Sequence, residues 1–223
     1  MIARAGWVVV VLSCVAAQET GGADSGGAGG GPKLVISEVM YDPLSSESDE
    51  HQTEWVEIHN PGGQSASLQG LQLTSGTKSR PHDARQRFVI GDVTIPPGGR
   101  VVIGIGSATS YAGLVLPPRV AHCDESKYAW LTNTGDSIAL RDGKGNVIDE
   151  VVYSSDAPWP AANRAGGSIQ FIAPGGEDPA KANDDAKHWV ASGAGNSIEF
   201  EGHGRGTPGG PPKGATTQPA RKR

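Results

Sequence analysis

Cysteine, phenylalanine and methionine are nearly missing from this chain: 223 residues hold two, three and two of them. Cys14 and Cys123 are the only cysteines, and Cys14 falls in the leader described below, so an intrachain disulfide framework is excluded and any fold must stand on packing. Cys123, between His122 and Asp124, belongs to no assignable catalytic motif and reads as a packed side chain or spare thiol. Few large apolar fillers, set against 33 glycines and 16 prolines, exclude long packed helices and favour short elements joined by turns. The apolar run Trp7–Leu12 is far shorter than the roughly 20 residues needed to span a bilayer, so no transmembrane helix is expected in the mature chain.

Catalytic signatures are also lacking. There is no HExxH pair, no Gly-x-Ser-x-Gly elbow, no phosphate loop and no paired-cysteine zinc spacing, and the six histidines are scattered. Gly104-Ile-Gly106 lacks the third glycine and the helix of a dinucleotide fingerprint and reads as a strand end. The expectation is a protein that is not an enzyme, with no metal and no cofactor. An unrecognised metal-dependent hydrolase stands as the third reading, because convergent sites escape motif searches.

Positive charge is scarce in the middle. Residues 34–203 carry 12 bases against 22 acids, a net −10, whereas residues 204–223 carry five bases and no acid within a total of −5. A middle of that sign repels polyanions over most of its surface. Only a local patch or the tail can reverse this.

At the N-terminus, Arg4 precedes Trp7-Val-Val-Val-Val-Leu12 and the small residues Ser13–Ala17. Charge, short apolar core and small residues in that order are those of a secretory signal peptide over residues 1–17, with cleavage expected after Ala17. The rival processing takes Val11-Leu-Ser-Cys14, which resembles a lipobox, and makes Cys14 the lipid-bearing mature end. Either route gives a secreted, periplasmic or cell-surface protein, in the second case a lipoprotein. Residues 18–33 form a Gly-rich spacer.

From Leu34 to Glu201 short period-two apolar segments alternate with turn residues. Strands are expected at Leu34–Val39, Glu54–His59, Leu68–Thr74, Arg87–Ile95, Arg100–Ile105, Asp136–Arg141, Val147–Tyr153, Ser168–Ile172 and Asn196–Glu201. Val56 with Ile58, Val101 with Ile103 and Ile105, and Ile138 with Leu140 mark the inward faces. Asn60-Pro-Gly-Gly63, Pro96-Pro-Gly-Gly99 and Asp142–Asn146 read as turns, the last as a plain hairpin rather than a calcium loop. Ile36–Tyr41 and Ile148–Tyr153 echo each other without forming a repeat. The spacing predicts an all-β sandwich, a single domain over 34–203, followed by a Gly/Pro-rich basic tail over 204–223.

The ordered set Leu34-Val-Ile-Ser-Glu-Val-Met-Tyr-Asp-Pro43, Glu54-Trp-Val-Glu-Ile-His-Asn60, Pro96-Pro-Gly-Gly-Arg-Val-Val102, Asn133-Thr-Gly-Asp-Ser-Ile-Ala-Leu-Arg-Asp142 and Val147-Ile-Asp-Glu-Val-Val-Tyr153 resembles the lamin-tail domain, in the version found in bacterial exported proteins. The likeness runs from about Lys33 to Gly209, closing on Trp189-Val-Ala-Ser192 and Gly206-Thr-Pro-Gly209. It implies an immunoglobulin-like β-sandwich used as a non-enzymatic attachment or interaction module, whose partner is a protein or cell-envelope component.

Three local features are candidate sites. Lys78, Arg80, Arg85 and Arg87 form a basic loop that could hold a phosphate, DNA or an acidic polysaccharide, although aromatics for base stacking are lacking. With the basic tail, this loop makes an acidic-polymer binder the alternative function. Trp159, between Pro158 and Pro160, is the tryptophan expected to offer a ligand-stacking ring, against core or edge cover for Trp55, Trp130 and Trp189. Asp42, Glu47, Asp49, Glu50 and Glu54 could gather calcium, but a solvated acidic loop is the favoured reading.

Overall fold

The computed structural model describes residues 33–43, 54–77, 79, 86–105, 119–122, 131–161, 166–192, 198–200 and 204–211. In chain order the strands are β1 (Val35–Met40), β2 (Glu54–His59), β3 (Ala66–Ser67), β4 (Gln72–Ser75), β5 (Gln86–Val89), β6 (Thr94–Ile95), β7 (Arg100–Ile105), β8 (Arg119–His122), β9 (Ser137–Arg141), β10 (Val147–Val152), β11 (Ile169–Phe171), β12 (Trp189–Ala191), β13 (Ile198–Phe200) and β14 (Gly204–Gly206). One helical turn, α1 (Pro179–Ala182), and a 3-10 turn, Ala186–His188, lie between β11 and β12.

The strands build an immunoglobulin-like sandwich. One sheet has the order β12-β11-β1-β2-β7-β8 and the other β10-β9-β4-β5, with small pairs β3-β6 and β13-β14 beside them. Among the described strand pairs all are antiparallel except β7 with β8, and Arg205 of β14 makes one further parallel bridge to Gly167. Period-two spacing turns Val56, Ile58, Val101 and Ile103 of one sheet toward Leu73, Ile138, Leu140 and Val151 of the other, all buried in one core. The described residues include no cysteine; at about 25 cal/mol per Å², apolar burial is the main cohesive force among them.

The two echoing segments face each other. Tyr41 and Tyr153 stack with ring centroids 4.7 Å apart, and the Tyr153 hydroxyl donates to the Thr132 carbonyl at 2.9 Å. Asp149 of β10 fastens the facing sheet: its Oδ2 accepts from the Ile36 amide at 2.7 Å and from Asn183 Nδ2 at 2.8 Å. Burial lifts this carboxyl to about 7.

Several expectations need correction. The strand expected over 68–74 starts only at Gln72, as β4, because residues 68–71 turn the chain after β3, with Gly70 at a φ of 76°. The strand over 87–95 divides into β5 and β6. Strands β8 and β12 have no counterpart among the expected strands. The domain also runs past His203: Gly204–Gly206 is a strand, and Thr207 and Gly209 bond to side chains of the first two strands.

Corners follow their sequences. The Asp142 carboxylate is spent on its own hairpin, accepting from the Lys144 and Asn146 amides at 2.8 Å each, as a plain turn requires. Asn60 locks the other corner, donating through Nδ2 to Gln64, Ile95 and Pro96 carbonyls. Among the described residues no helix is long and apolar enough to cross a membrane.

Candidate functional site

The outward faces of the two sheets differ in what covers them. Across the six-stranded sheet, register aligns Gln170, Glu38, Glu57 and Val102 in one transverse row on β11, β1, β2 and β7. Outward polar side chains in a row normally meet water. Here all four are buried, Glu38 and Glu57 each 1% exposed. Trp55, Met40 and Val102 make a second apolar cluster on this same outer face.

Residues 204–209 close over this row. Thr207 donates its amide to Glu38 Oε1 at 2.8 Å and its hydroxyl to Oε2 at 3.0 Å. Ser168 Oγ and Gln170 Nε2 also donate to Glu38 Oε1. The Gly209 amide donates to Glu57 Oε2 at 2.6 Å, and Ser37 Oγ to Oε1 at 2.6 Å. A bulge between Ile36 and Glu38 supplies the extra residue that lets Ser37 and Glu38 both serve this face. Arg100 Nε lies 3.1 Å from Glu57 Oε1, close enough for an ion pair but not aligned as a hydrogen bond.

Among the described residues, two buried carboxyl groups and the Arg100 guanidinium set the electrostatics. Burial pushes Glu38 up to about 7 against its four donors. Burial and then the neighbouring Glu38 push Glu57 up to about 8. The two carboxyls titrate as a pair. His59, half-buried beside Arg100, is pushed down to about 4, chiefly by burial.

Across the four-stranded sheet the equivalent row is Val89, Gln72, Arg141 and Val147, on β5, β4, β9 and β10. Val89 is 58% and Val147 45% exposed, the large exposed apolar side chains among the described residues. The next row is Arg87, Thr74, Ala139 and Glu150. Arg141 Nε donates to Thr74 Oγ1 at 3.2 Å, which lays its guanidinium along the sheet. This face pairs exposed apolar groups with Arg87 and Arg141, a mixture suited to docking a partner.

Of the residues the sequence nominated, Arg87 sits exposed on β5, while Lys78, Arg80 and Arg85 lie outside the described residues, as do Cys14, Ala17 and Cys123. Trp159 is half-buried: its ring tilts against Trp189 at 5.7 Å and packs on the main core, so it serves as edge cover. Of the acidic run, Asp42 accepts from Asn133 Nδ2 at 2.8 Å and Glu54 is buried, accepting from the Leu131 amide at 3.0 Å. Glu47, Asp49 and Glu50 lie outside the described residues. Among the described residues no three His, Cys, Asp or Glu side chains are grouped to hold a metal. Sequence reasoning missed the Glu38–Glu57 pair, since alternation alone assigns both to solvent.

Comparison with known proteins adds one positive finding. The family model described as Lamin Tail Domain matches residues 28–155, more than half of the chain. No curated protein matches it. The chain belongs to the lamin-tail domain family, a family of non-enzymatic immunoglobulin-like domains.

Proposed function

We propose that this lamin-tail protein is an exported attachment module, acting at the cell envelope or outside the cell, that presents the outer face of its four-stranded sheet to a protein partner. The observation that carries the reading is the row Val89, Gln72, Arg141 and Val147, which with Arg87 of the next row leaves two exposed valines beside two arginines. Export is supported by the charged, apolar and small-residue order of residues 1–17. The test is capture from an envelope fraction of the source cells by the wild-type chain and by a Val89→Asp, Val147→Asp double variant, with the mass of the mature N-terminus measured in parallel. Capture that the double variant loses and that tolerates added salt is expected. Equal capture by both chains overturns the docking face, and an uncleaved, unlipidated N-terminus overturns export.

Arg87, exposed at the end of the basic loop, favours the second reading, an accessory binder of an acidic polymer through Lys78, Arg80, Arg85 and Arg87 with the tail. Binding of DNA or an acidic polysaccharide would then fall steeply as salt rises and vanish when those bases are neutralised. Salt-insensitive capture excludes it.

A further inference from the structure

Residues 204–209 are seated by recognition rather than by continuous sheet pairing. Gly204–Gly206 pairs with β13, and among the described residues it meets the segment leading into β11 at one parallel bridge, Gly167 with Arg205: the Arg205 amide donates to the Gly166 carbonyl at 2.6 Å and the Ser168 amide to the Arg205 carbonyl at 2.9 Å. The remaining hold comes from side chains that read particular atoms. A Cβ on Gly206 would stand 2.8 Å from Glu38 Oε1, 2.9 Å from Trp55 Cζ2 and 3.2 Å from Ser168 Oγ, so this position accepts glycine and nothing larger without displacing buried groups. The next position needs a hydroxyl, because Thr207 fills both oxygens of Glu38 with one amide and one hydroxyl hydrogen. Two positions later a free amide is required by Glu57, which Gly209 supplies. Glycine, hydroxyl residue, spacer and amide donor make a short code read by Trp55, Glu38, Ser168 and Glu57.

We infer that the outer face of the six-stranded sheet is a peptide-recognition cleft for extended Gly-Thr-Pro-Gly segments, filled here by the chain's own residues 206–209 and open to the same segment from a second copy of this chain. A second copy is the one source certain to carry the sequence, and exchange of an identical terminal element between copies adds no new contact to either cleft. In the single chain the tethered segment competes at an effective concentration in the millimolar range, on the order set by short linkers, so micromolar peptide does not displace it. The inference is independent of the docking face on the other sheet.

The test empties the cleft and offers the segment in trans. Full-length Gly206→Ala carries a segment that no longer seats. Titrated with a fluorescently labelled peptide of residues 204–211, it is expected to bind saturably, at least tenfold more tightly than wild type does. Peptides carrying Ala at position 206 or Val at position 207 are expected to bind at least tenfold more weakly than the native peptide. A folded Gly206→Ala chain that ignores the native peptide, or that binds all three peptides alike, overturns the cleft. If Gly206→Ala does not fold, Thr207→Val, which keeps the glycine fit and loses one donor, replaces it in the same titration. For the source of the segment, wild-type protein refolded at high concentration is expected to yield a dimer that Gly206→Ala does not form. Only monomer from wild type removes the second copy as occupant.

Discussion

Two transverse rows of four residues, one on the outside of each sheet, show how the same alternation leads to opposite surfaces. Gln170, Glu38, Glu57 and Val102 carry more polarity than Val89, Gln72, Arg141 and Val147, yet the first row is buried and the second holds the exposed valines. Residue polarity does not decide exposure here; a segment arriving from far along the chain does. Carboxylates are tolerated beneath it because its amides and hydroxyl, with Ser37, Ser168 and Gln170, replace the water they lose. Among the described residues no such segment crosses the four-stranded sheet, and Val89 and Val147 stay exposed on it.

The comparison breaks most severely at Trp55. Trp55→Ala removes the largest apolar body beneath the closing segment, and a loss of about 3–5 kcal/mol is expected in denaturant unfolding. Next comes pH. Glu38, Glu57 and Asp149 all titrate higher in the folded protein than in an unfolded chain, so the folded state holds the extra protons and their contribution is lost as pH rises through about 7 to 8. His59, pushed down to about 4, works the other way, but only between there and its ordinary value of 6.5. Above that point these three carboxyls set the trend among the described residues, and Tm is expected to fall from about pH 6.5 to about pH 8 as they ionise, with Glu57→Gln flattening the slope. A smaller loss, about 1–3 kcal/mol, is expected for Thr207→Val, which leaves Glu38 Oε2 without its hydroxyl donor. On the open sheet Val147→Lys is expected to change stability by no more than about 0.5 kcal/mol, read from the same melts. A large loss there would show that this row, too, is covered.

Local signals made much of the sandwich legible. Bounds at β2 and β7 coincide with the period-two reading, and the Asp142 hairpin follows from its Asp, Gly and Asn residues. What escapes has a nonlocal cause. Strand β8 carries too few apolar residues to signal itself and joins the sheet by parallel pairing with β7. Glu38 and Glu57 alternate as solvent-facing residues should, and nothing within their own strands announces a cover. Residues 204–209 read as tail because glycine and proline offer little apolar surface to pack, whereas Gly206 is what allows the backbone to approach Trp55 this closely. Flanking prolines point Trp159 toward exposure; Trp189, 30 positions away, decides its surroundings. The basic loop is legible as charge, and of its four bases Arg87 is the one seated on a described strand.

The bond between Thr207 and Glu38 spans 169 positions. The first strand therefore stays chemically unfinished until residues 204–209 are in place, and without them Glu38, Glu57 and Trp55 lose the groups that cover them. Shortening the chain by proteolysis or a premature stop just before Gly204 would return the molecule to that state.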